Sequence, residues 1–336
     1  MDMQKLESLP PPPGVIGSLR AGFDAVSSHV VLILLPLALD VFLWLGPRLS
    51  VGNLYASILS DWFDFNRRAG FSAQNADLIT ERVEAFGRIN FLNWVRTLPV
   101  GIPSLLSGIF PDSLPLRTPL GVQEVFQVPS LFGMLGWIFV LTLVGWIGGG
   151  LYFRWVSGTT LGEDEAGIGP MRAVVQTFVL SVIWVISLMV ILVPLLLVVT
   201  ALAMFSPVLA NGAVLIFLIV SFWLIVPLFF TPHGIFVDKQ NALLSILSSL
   251  KLARFTLPTS SMFVFAVFML STGLNYLWSV PSSDSWMLLV GIAGHAFITT
   301  ALLSASFVYY HDMNAWLRIV FDRIQQQKKG VPTQQA

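Results

Sequence analysis

The 336-residue chain is 55% hydrophobic and only 11% charged, with a mean hydropathy of +0.80, whereas soluble domains are about 25% charged. That composition excludes a water-soluble fold, and 18 basic against 18 acidic residues leave no charge excess that would recruit nucleic acid. There is no cysteine, so disulfides, thiolate chemistry and cysteine metal sites are excluded as well.

The pattern reads as an all-α integral membrane protein: a bundle of six transmembrane helices with amphipathic interfacial helices. A proline run, Pro10–Pro13, with acids before it is unlike the basic n-region of a cleavable leader, so the first hydrophobic helix is expected to be retained. Residues 1–27 form an amphipathic arm on the cytoplasmic surface, with Val15, Leu19, Phe23 and Val26 at helical spacing. The first span follows over 28–46.

Residues 47–130 make a long extracytoplasmic loop, partly helical, whose seven arginines are balanced by seven acids. Within it, 76–95 reads as an amphipathic helix with Leu78, Val83, Phe86 and Ile89 on its apolar side. The apolar stretch 89–110 is interrupted by Arg96, Pro99 and Pro103 and is expected to be interfacial or re-entrant rather than a seventh span. The loop suits a lid or a protein-partner surface better than a catalytic domain.

The remaining five-helix bundle, 131–310, has spans over 131–152, 172–205 (kinked at Pro194), 213–230, 261–280 and 286–310. An amphipathic helix over 238–254 sets Leu243, Ile246, Leu247 and Leu250 opposite Asn241, Ser245, Ser248 and Ser249, and Pro258 separates it from the next span. A basic amphipathic tail, 311–336, closes the chain. Membrane lipids are the expected partners of these surface pieces.

Nine Lys/Arg lie on one side of this arrangement, at Arg154, Arg172, Lys239, Lys251, Arg254, Arg318, Arg323, Lys328 and Lys329, while the turns 206–212 and 281–285 have none. By the positive-inside bias both termini are cytoplasmic, in the cytoplasmic membrane. Trp44, Trp137, Trp155, Trp278, Trp286, Tyr309 and Tyr310 fall near the proposed span ends, where amphipathic rings favour headgroups.

Charge inside hydrocarbon is costly, so an intramembrane ionisable residue is a candidate site by default. Asp40 lies about 9 Å from the Gly46 end of span one, and His295 about 13 Å from the Trp286 end of span six. Asn275 and Thr200 fall at similar depth. Asp40, Asn275 and His295 are therefore the candidate ligand-binding residues, facing a polar pocket in the outer half of the bilayer. The competing reading is a paired polar cluster that holds helices together.

Gly145 and Gly149 form a GxxxG suited to close packing, and Gly291 and Gly294 thin the face beside His295, where a ligand would find room. The acidic turn GEDEAG at 162–167 reads as a solvated loop. His29, His233 and His311 read as hydrated interfacial residues. P-loop, HExxH, GxSxG and dinucleotide-glycine signatures are absent, and neither a catalytic residue, a metal site nor a cofactor is implied.

Residues 235–310 resemble the membrane domain of the glycerophosphoryl diester phosphodiesterase family and related six-span proteins. The resemblance is carried by IFVDKQNALLSILSSLKLARF, a proline, and two closing spans ending SFVYYHDMNAWLR. It implies an accessory bundle without hydrolase activity. The functional expectation is a non-enzymatic scaffold or accessory subunit in lipid or envelope processes. The alternative is a small transporter using the level of Asp40 and His295, although no internal repeat supports it.

Overall fold

A computed structural model describes residues 11–68, 89–108, 117–162 and 167–329. The protein is an all-α membrane bundle. Helices α1 (Val15–Ser28), α2 (Leu34–Leu45) and α3 (Gly52–Arg68) come first, and then α4 (Leu131–Leu161), α5 (Pro170–Phe205) and α6 (Pro207–Phe229). The short α7 (His233–Phe236) and the long α8 (Ala242–Trp278) and α9 (Met287–Lys329) complete the series. Among the described residues four helices, α4, α5, α8 and α9, are long and apolar enough to cross a membrane, and the count rises to six if each of two bent helix pairs is one span. The bent pairs contain α2 and α6 and break at His29 and between Ser221 and Leu224.

Proline marks starts as well as breaks. Pro170 and Pro207 open α5 and α6 at the position where a missing N–H costs nothing. Helix α5 runs unbroken through Pro194. In α8 the backbone leaves helical geometry at Thr256 (φ −125°, ψ 19°), two residues before Pro258. The expected amphipathic helix 238–254 and the fifth span are therefore one interrupted helix that begins at Ala242. Likewise, residues 311–329 of the expected tail continue span six within the single 43-residue α9, and 330–336 lie outside the described residues.

The chain forms two compact units, whose boundaries pass through α4, α8 and α9. The first comprises Met1–Val30, Phe153–Ser271 and Thr300–Ala336. Here α8 is inside out relative to a soluble amphipathic helix: Ala242, Ser245, Ser249, Leu252 and Ala253 are buried, while Leu243 and Leu247 are 63% and 61% exposed. Apolar side chains face lipid at no cost, and small polar ones are turned inward to hydrogen-bond. Ser245 Oγ donates to Thr231 O at 2.5 Å, and Ser249 Oγ donates to Pro227 O. Both acceptors are carbonyls freed where α6 ends.

Helix α1 docks by the seam Ser18, Gly22 and Val26 rather than by its larger apolar residues. A Cβ on Gly22 would lie 2.5 Å from Ala301 O, so α1 seats backbone to backbone on α9. The arm thus packs on a protein helix. Around α7, Phe230, Phe236, Phe263, Phe307 and Tyr309 form a buried aromatic knot, with Phe263 stacked on Tyr309 at 4.2 Å. Trp44, Tyr309 and Tyr310 are buried in protein, whereas Trp137, Trp155 and Trp286 are exposed as membrane-interface rings would be.

The second unit comprises Val31–Tyr152 and Thr272–Thr299. Strand β1 (Arg48–Ser50) pairs in parallel with β4 (Val125–Gln127), and β2 (Arg117–Thr118) with β3 (Gly121–Val122) makes a small antiparallel ribbon. Leu49, Val51, Phe91 and Val128 pack on Leu141 of α4. Gln123 Nε2 donates to Trp44 O at 2.6 Å and to Gly46 O at 2.9 Å, satisfying the last carbonyls of α2. Trp44 Nε1 donates to Ser283 O at 2.7 Å.

Over 89–108 the chain forms no spanning helix. It makes two short 3-10 turns, Phe91–Val95 and Leu106–Gly108, joined by irregular backbone that bends at 98–100. This segment fills the GxxxG face of α4, which was expected to receive a helix. A Cβ on Gly145 would meet Val95 O and Thr97 Cγ2, and one on Gly149 would lie 2.8 Å from Gly101 Cα. Most of the expected helix 76–95 and all but the ends of the acidic turn lie outside the described residues.

Candidate functional site

Asp40 sits on α2 with no exposed surface. Its Oδ1 accepts from Ser104 Oγ at 2.5 Å and from the Leu106 amide at 3.2 Å, and its Oδ2 accepts from the Leu105 amide at 2.9 Å. These are the amides that the following 3-10 turn cannot satisfy itself, so the carboxylate acts as a remote cap for it. Ser104 Oγ in turn accepts from the Ser107 amide at 3.1 Å. Leu105 then inserts among Trp44, Leu288 and Ile292.

His295 and Asn275 are brought together as a separate pair. His295 Nδ1 lies 2.7 Å from Asn275 Oδ1, and Nε2 is buried without a hydrogen-bond partner. The structure thus joins two of the three candidate residues and gives the third to the 104–106 turn. Thr200 is exposed on α5. The thinned face beside His295 is occupied: a Cβ on Gly294 would lie 2.8 Å from the Trp278 ring, and one on Gly291 would meet Trp278 O.

Arg96 is electrostatically coupled to both Asp40 and His295. It is exposed and donates through Nη1 to Ser107 Oγ at 3.1 Å. The sequence reading used Arg96 only as an interruption, although a lone arginine in an apolar stretch is a signal in itself. Outside the spans, burial at β1 pushes the Arg48 guanidinium down to about 10, which leaves it charged at neutral pH.

A second polar cluster lies in the first unit. His233, expected at a hydrated interface, is 3% exposed inside the aromatic knot, with Nε2 2.7 Å from Ser306 Oγ. Ser306 Oγ donates to Leu303 O at 2.6 Å, so the hydroxyl is already engaged. Nearby, Asp238 accepts from Tyr310 Oη at 3.1 Å and pairs with Arg318 at 3.5 Å. What hid His233 from sequence reasoning is that its neighbours come from residues some 70 positions later.

These contacts fix helices and turns. Among the described residues no group of three or more His, Asp or Glu could hold a metal ion. Compared with known proteins, the chain matches no family model, no curated protein and no solved structure.

Proposed function

We propose that this chain is a non-enzymatic scaffold or accessory subunit for lipid or envelope processes in the cytoplasmic membrane, a six-span bundle with both termini cytoplasmic. The observation that carries the reading is the use made of intramembrane polar groups. Asp40, the costliest of them to bury, has its carboxylate fully engaged in holding the chain's own 104–106 turn. Trp278 fills the thin face at Gly291 and Gly294, where a ligand would otherwise find room. The resemblance read in residues 235–310, taken as part of this proposal, points the same way, to an accessory bundle. The 47–130 loop is the proposed partner surface, since Ile58, Trp62 and Phe65 of α3 stand 47%, 48% and 67% exposed along one face.

The absence of cysteine makes the test direct. Single cysteines at positions 275 and 295 are challenged in intact cells with a membrane-impermeant thiol reagent, with Ser27→Cys as the control for the other face. The scaffold reading expects both to stay unlabelled. Labelling at either position reveals a water path to the His295–Asn275 pair and overturns it in favour of the small transporter.

A further inference from the structure

Residues 94–98, which run from the end of the Phe91–Val95 turn into the following bend, lie along α4 with alternating burial. The Val95 carbonyl and the Thr97 side chain lie against Gly145, while Arg96 and Leu98 are exposed, Leu98 by 67%, and Trp94, tied by its indole N–H to Thr142 Oγ1 of α4 at 3.1 Å, keeps 49% of its surface open. Three helices bear on the depth of this strip. Gly145, which Val95 touches, is fourteen residues into α4 from Leu131, or about 21 Å at 1.5 Å per residue. Asp40 and His295, the groups coupled to Arg96, lie about 9 Å and 13 Å from their own span ends on the same rise. All three values fall within the roughly 30 Å of hydrocarbon.

An exposed guanidinium at such a level needs an anion or water. Its fork offers five N–H donors, of which the Ser107 hydroxyl takes one. Asp40 does not take the rest, because its oxygens are held by Ser104, Leu105 and Leu106. On either side of Arg96 stand Leu98, mostly exposed, and the Trp94 ring, which stacks on Phe91 and leaves about half of its surface open. A cation between a tryptophan and a leucine matches a molecule with an anionic head and hydrocarbon chains.

We propose that Trp94, Arg96, Leu98 and Ser107 form a binding site for the phosphodiester of a membrane phospholipid. Arg96 reaches the phosphate oxygens through its long stem, Ser107 holds the guanidinium in place, and Trp94 and Leu98 lie against the acyl chains. The site rests on the membrane fold and not on the scaffold reading, so its loss leaves that reading standing.

The test is the thermal unfolding midpoint of the purified, delipidated full chain in detergent. The additions are phosphatidylglycerol, phosphatidylcholine, diacylglycerol and inorganic phosphate. Both phospholipids are expected to raise the midpoint of the wild-type protein, and diacylglycerol and inorganic phosphate are not. Arg96→Gln should lose the phospholipid increment, Arg96→Lys keep part of it, and Arg20→Gln, exposed on α1, keep all of it. Leu98→Ser should lower the increment while leaving the lipid-free midpoint unchanged, which covers the case in which Arg96→Gln does not fold. An increment that survives in both Arg96→Gln and Leu98→Ser, or no increment in the wild type, overturns the site. An equal response to inorganic phosphate, lost in Arg96→Gln, overturns the lipid as its occupant and identifies a free-anion site.

Discussion

Asp40 has three donors around it and no described acidic neighbour bonded to it, so its carboxylate is the hub on which the 104–107 turn closes. Removing an acceptor from buried donors costs more than the bond itself contributes, because the orphaned N–H and O–H groups stay desolvated. Asp40→Ala is therefore expected to lower unfolding stability in micelles by about 3 kcal/mol, and Asp40→Asn, whose amide oxygen still accepts, by about 1 kcal/mol. Denaturant titration of the three proteins checks this. Equal stability of wild type and Asp40→Ala would show that the turn is held by Leu105 packing alone.

At the scale of an element, α8 shows what changes when the solvent is lipid. Its serine side is the buried one, and Ser245 and Ser249 satisfy carbonyls at Thr231 and Pro227 that the end of α6 leaves open. Its leucine side gains nothing by packing inward. Ser245→Leu places a branched side chain where no exposed surface exists and orphans the Thr231 carbonyl, for an expected loss of about 3 kcal/mol. Leu247→Ala on the lipid side should stay within about 0.5 kcal/mol of wild type. Unfolding in micelles measures both, and the opposite order would mean that α8 presents its leucines to protein.

For the whole molecule, the number of crossings decides which surfaces share a side. If the two bent pairs containing α2 and α6 each cross, Val208 and Ser282 lie on the same side of the membrane; if only the four long helices cross, they lie on opposite sides. Cysteines placed singly at 208 and 282, labelled from one side of sealed vesicles, are expected to react alike. Opposite labelling would show that the pair containing α6 does not cross and would lower the count to four or five.

Membership of the membrane class and the positions of the long spans were legible in the residues, because crossing hydrocarbon demands only enough consecutive apolar side chains, a local property. Pro258 announced a break for the same local reason, whereas α6 opens at Pro207, inside the expected turn 206–212 and before the expected span 213–230. The facing of the helices was not legible. In water an apolar stripe points inward, whereas in lipid the stripe of Leu243, Leu247 and Leu250 points outward and Ser245 and Ser249 mark the interior. Likewise, the arm's large residues Leu19 and Phe23 drew attention away from Gly22, which lies directly against α9. The site was legible by residue type and not by pairing: His295 meets Asn275 as the span levels implied, but Asp40 is claimed by Ser104, 64 positions away. Composition and periodicity determined that this chain lives in a membrane and roughly where it crosses. Which polar groups meet, and which glycine faces are filled by Trp278 or the 95–101 strip, was decided by the tertiary structure, because those choices depend on packing between segments distant in sequence.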